Sequence, residues 1–138
     1  MAGIITMQKM RYINSLSRVS KINTSKCFTY NNVIIFAVPK FALAKALGPG
    51  AKNIKKLNEI FGKRVRIVAE PKGKQDVEKF VKSVVEPVQF NSIEENENEF
   101  VLTAGSNNKA ALIGRNKRRL IELNQILEDF FGKGLRIV

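Results

Sequence analysis

The chain has no histidine and one cysteine, Cys27. A single cysteine cannot form an internal disulfide, so nothing points to an oxidising compartment, and Cys27 reads as a small buried residue. Without histidine there is no imidazole for a zinc site and no base for a serine or cysteine nucleophile, so neither a metal nor a catalytic site is expected. Acids such as Glu122 and Glu128 fall in helical charge patterns, where a solvated role accounts for them. Long hydrophobic runs are missing too. "MAGIITMQKM" has a short apolar stretch with no basic region before it, too short for a signal peptide or a span. The expectation is a soluble, intracellular protein without a cofactor, membrane contact or small-molecule substrate. Acidic side chains are the last scarcity, 12 against 24 lysines and arginines, for a net charge of +12. That excess calls for a polyanionic partner. Residues 1–70 hold 13 basic and 2 acidic side chains, whereas residues 71–138 hold 11 and 10. The attraction therefore starts in the first half.

What the sequence does contain is a repeat. "FGKRVRIV" at 61–68 returns as "FGKGLRIV" at 131–138. An offset of 70 residues is longer than a solenoid unit of roughly 20–50 residues and leaves room for two copies. In the first copy Met7, Met10, Ile13 and Leu16 recur every third residue and mark a helix. "KCFTYNNVIIFAV" is a hairpin about Asn31-Asn32, a pair that tolerates positive φ. "KFALAKALG" and "AKNIKKLNEIFG" are two helices, the second with Ile54, Leu57, Ile60 and Phe61 on its apolar face. "KRVRIVAE" is a strand, and "PKGKQ" from Pro71 to Gln75 reads as a linker.

The second copy follows the same order. "DVEKFVKSVV" carries Val77, Phe80, Val81 and Val84 on one face. "PVQFNSI" and "FVLTAG" are strands around "EENENE", whose acids read as a solvated hairpin tip. "NNKAALIG", "RRLIELNQILEDFFG" and "LRIV" complete it. From Gly48 to Phe61 is four steps shorter than from Gly114 to Phe131, close to one helical turn, so the phenylalanine returns to the same face. The chain is expected to be α+β, with two domains, 1–70 and 71–138, each α-β-β-α-α-β. Units of about 70 residues are near the lower limit for independent stability and are expected to pack together.

Both copies join their paired helices with almost no loop, in "ALGPGAKNI" and "LIGRNKRRL". So tight a turn needs a residue without a Cβ, and the helix after it offers unpaired N–H groups and the positive end of its dipole. Phosphate suits such a place. Lys45, Lys52, Lys55 and Lys56 crowd the first junction, and Arg115, Lys117, Arg118 and Arg119 the second, adding side-chain donors. The charge gathers at the junctions and not along one amphipathic face, which disfavours a membrane surface.

The element order and the apolar-Gly-x-x-Gly junctions resemble KH domains of type II, and the tandem resembles archaeal NusA-like transcription termination factors. The resemblance runs over nearly the whole chain. It implies, for each domain, a three-stranded sheet packed by helices, and single-stranded RNA as the ligand, about four nucleotides per unit, gripped by its backbone. The matching positions are Gly48, Pro49, Gly50 and Ala51, then Gly114, Arg115, Asn116 and Lys117. Ala51 and Lys117 stand where the pattern has its second glycine, and Pro49 stands where a basic residue is common. A role in termination or antitermination, and RNA polymerase as a partner, follow from the resemblance alone. The alternative is a ribosomal or ribosome-associated RNA-binding protein.

Overall fold

The computed structural model describes residues 7–138. Of the opening stretch read above as neither leader nor span, residues 1–6 lie outside the described residues. The chain divides between Glu70 and Pro71 into two units.

The first unit begins with helix α1, Met7–Ser20. Its buried residues are Tyr12, Leu16 and Ser20, while Met7 and Met10 are 88% and 51% exposed. The three-residue stripe read from sequence is thus corrected. A helix advances about 100° per residue, so each three-residue step falls roughly 60° short of a full turn, and Met7 ends about half a turn away from Leu16. Strands β1 (Lys26–Tyr30) and β2 (Val33–Val38) pair antiparallel from Tyr30↔Val33. Asn31 and Asn32 turn the hairpin with φ of 50° and 64°, the left-handed values expected of them.

Helices α2 (Leu43–Leu47) and α3 (Lys52–Phe61) carry the chain across to β3 (Val65–Ala69), which pairs parallel with β2. This makes β2 the central strand, and Ile34 through Val38 are all buried, the continuous apolar run such a position needs. Leu16, Phe36, Ala46 and Leu57 meet in the core, and the rings of Tyr12 and Phe61 pack edge to face at 4.7 Å. Ile60, read as core, is 50% exposed, since it falls to the side of the Ile54–Leu57–Phe61 stripe. Cys27 is buried in this core, and desolvation pushes its thiol up to about 12.

In the second unit, α4 (Val77–Val85) buries Val77, Phe80, Val81, Val84 and Val85. The linker reading is revised here. Lys74–Asp76 form a 3-10 turn, and the Lys72 N–H donates to the Asp76 carboxylate at 3.0 Å, so "PKGKQ" largely builds the entrance to α4. Strand β4 spans only Ser92–Glu95 and pairs with β5, Glu99–Thr103. "PVQF" is not strand: Pro87 has no N–H to give a ladder, and the Val88 N–H turns back to the Val85 carbonyl. Helices α5 (Lys109–Ile113) and α6 (Arg118–Phe131) lead to β6 (Gly134–Ile137), parallel to β5. Phe80 stacks on Phe130 at 4.6 Å, and Phe131 meets Phe100 at 5.6 Å.

The acidic hairpin is more than a solvated tip. Glu95 pairs with Lys133 at 2.7 Å and Lys74 at 2.8 Å, and Glu99 pairs with Arg136 at 3.0 Å. Hydrogen bonds from Lys133 and then Lys74 hold the Glu95 carboxyl below its ordinary value. No helix among the described residues is long and apolar enough to cross a membrane.

Candidate nucleic-acid interface

The two helix junctions have one backbone conformation built from different residues. Gly48 and Gly114 both have φ of 76°, with ψ of 165° and 172°. That combination belongs almost wholly to glycine. A Cβ on Gly48 would lie 2.9 Å from Asn53 Nδ2, and one on Gly114 would lie 2.8 Å from Arg119 Cγ. Two left-handed residues complete each turn: Gly50 and Ala51 at φ 61° and 59°, Asn116 and Lys117 at 56° and 60°. Ala51 and Lys117 thus both hold the left-handed conformation, although an L residue there costs about 1–2 kcal/mol. The Ala51 and Lys117 N–H groups close the turns onto Gly48 and Gly114 carbonyls at 3.1 and 3.2 Å.

Pro49–Ala51 and Arg115–Lys117 form short 3-10 turns that open directly into α3 and α6. Neither helix has an acid in its first turn. Instead each opens with a cation, Lys52 or Arg118, both exposed. A cation at the positive end of a helix dipole is unfavourable, by about 0.3–1 kcal/mol, so the dipole does not account for these residues. Lys45, Lys55, Lys56, Arg115 and Lys117 are exposed as well. The first unit carries its charge along α2 and α3, around a turn without cations. The second concentrates it in the turn, and there Ile121 and Glu122 occupy the places of Lys55 and Lys56, counted from the glycine.

Arg119 departs from the sequence reading. Its guanidinium donates to the Ala111 carbonyl at 3.0 Å and its stem lies over Gly114, so it fastens α5 to α6 and is not a free donor at the surface. Asn53 does the same in the first unit, donating to the Ala46 and Lys45 carbonyls at 3.1 and 3.3 Å. Both stand five residues after the leading glycine. Sequence reading also passed over Asn58 and Asn124, ten residues after it. Their side-chain oxygens accept the N–H groups of Val65 and Leu135 at 2.9 and 2.7 Å, fixing the last strand of each unit. The repeated "LN" at 57–58 and 123–124 was the available signal.

Fold and junctions together define a chain of two α+β units, each with a glycine-led turn that opens a helix and has exposed cations in or beside it. Over 89 residues, 64% of its length, the chain is 24% identical to a protein of Methanocaldococcus jannaschii (strain ATCC 43067 / DSM 2661 / JAL-1 / JCM 10045 / NBRC 100440) described as a probable transcription termination protein NusA. The match takes in 47% of that protein, so the chain spans about half the length of this curated relative. The fold is similar to the crystal structure of APE1850, with a TM-score of 0.67 and 26% identity, covering 97% of this chain and 100% of that one. Comparison with protein families finds no match.

Proposed function

We propose that the chain is a noncatalytic RNA-binding protein made of two KH-type units, which hold the backbone of single-stranded RNA at their two junctions and act in the cytoplasm on transcription termination or antitermination. The observation that carries this is the turn itself. The same strained conformation occurs twice, each time opening a helix whose positive end is crowded with cations and has no acid. The close join of two helices accounts for the backbone of the turn, whereas a bound phosphate offsets the cations at the positive end of the helix that follows. The transcription role, and RNA polymerase as a partner, draw on the similarity to the protein described as NusA.

Binding to a single-stranded RNA decamer, followed by fluorescence anisotropy, should weaken with salt at a log-log slope of roughly −0.7 per phosphate engaged. Duplex DNA should bind more weakly at each salt concentration. Equal affinity for the two near ~0.15 M salt would reduce the protein to a generic polycation. Co-sedimentation with polymerase, and not with ribosomal particles, is the outcome expected of a transcription factor.

A further inference from the structure

Phe41 is 91% exposed, the most exposed large apolar side chain among the described residues. It stands in the 3-10 turn Lys40–Ala42 that leads into α2. Turn and helix bury one side, Ala42 and Ala46, and present Phe41, Ala44 and Lys45 on the other. Gly48 follows Phe41 by seven residues, and only Ala42 of the 3-10 turn and the five residues of α2 stand between them. Lys45 lies between them, one turn from each. An exposed aromatic face and an exposed ammonium thus precede the strained turn within one short helical segment.

A single nucleic-acid strand offers the matching sequence of groups, a planar base beside each backbone anion. A protein partner would instead need apolar surface around the ring, and the exposed neighbours of Phe41 include Lys40 and Lys45. The charge of the whole first unit, 13 basic against 2 acidic residues over 1–70, favours the polyanion again. The second unit does not repeat the arrangement. Seven residues before Gly114 is Asn107, and the place of Lys45 is taken by Ala111.

We infer that Phe41 is a stacking platform for one base of a single-stranded RNA whose backbone is held at the first junction, a feature of the first unit only. The inference rests on the RNA reading above and adds to it a contact that is independent of charge. Stacking is tolerant of sequence, since every base has a π face, so Phe41 contributes affinity without selecting a particular base.

The chain contains no tryptophan, so Phe41→Trp supplies a single indole reporter. In the intact chain, this variant should bind a uridine decamer with wild-type affinity, and its emission should be quenched at saturation. Phe41→Ala should keep its melting temperature and lose about 10- to 100-fold in affinity. Its salt slope should match the wild type, because stacking releases no counterions, whereas Lys45→Ala should flatten the slope by roughly 0.7. Wild-type affinity in Phe41→Ala, or unchanged emission from Phe41→Trp at saturating RNA, overturns the inference and leaves the ring to a protein partner, with the RNA reading intact. If the wild type binds no decamer by anisotropy, the RNA reading falls and the inference with it.

Discussion

Each junction turn holds two kinds of position, and they respond to substitution in opposite ways. Gly48 combines a glycine-only φ/ψ with a blocked Cβ, so even Gly48→Ala should destabilise the first unit, by about 1–3 kcal/mol. A charge placed there would confuse loss of fold with loss of binding. Gly50 separates the two. Its left-handed φ of 61° is one that Asp and Asn tolerate, a Cβ added to it would meet nothing within 4 Å, and Asn116 already occupies the equivalent place. Gly50→Asp should therefore keep stability within about 1 kcal/mol of wild type. Facing a bound phosphate, its carboxylate should reduce RNA affinity at least about fivefold. Urea melts and anisotropy on the same sample check both expectations, and unchanged affinity would make the first junction purely structural.

Among the elements, the third helix of each unit is pinned at two points counted from its glycine, and the four residues by which α6 exceeds α3 come after the second pin. Asn124→Ala should strand the buried Leu135 N–H and cost about 1–3 kcal/mol in denaturant titration, with Asn58→Ala doing the same at Val65. The β4–β5 hairpin should respond to pH. Because the folded-state pKa of Glu95 is depressed below 4.5, its pairing stabilises above that value and is lost as pH falls through the depressed one. Glu95→Gln should lower the melting temperature at about pH 7, and the gap should close near pH 2. These elements also show what a sequence discloses. Periodicity located α3, α4 and α6, and Asn31-Asn32 located a hairpin, because those signals are local. The burial of Tyr12 in place of Met10, the pairing of Glu95 with Lys133, and the capping role of Arg119 depend on neighbours supplied by other elements, which no local window contains. For the candidate interface, the positive-φ leading glycines and the exposed cations beside them were legible. The left-handed φ of Ala51 and Lys117 was not, since neither residue type signals it.

At the scale of the molecule, the proposed function makes a second RNA contact on the same chain an intramolecular event. Extending an RNA from about four to about ten nucleotides should tighten binding beyond the gain from added registers, at about four nucleotides per unit. A flexible Gly/Ser insertion between Glu70 and Pro71, ahead of the turn that starts α4, should weaken only the longer RNA. Affinity flat with length would mean that one unit does all the binding. The unequal placement of cations bears on time as well as strength. Lysines on α2 and α3 are mobile point charges in the unit with most of the net charge, which suits long-range steering and frequent encounter. Arg115 and Arg118 are planar forks able to take a phosphate with two bonds at once. On the proposed function, the lysines of the first unit set how fast RNA arrives, and the arginine forks of the second add to the time it stays.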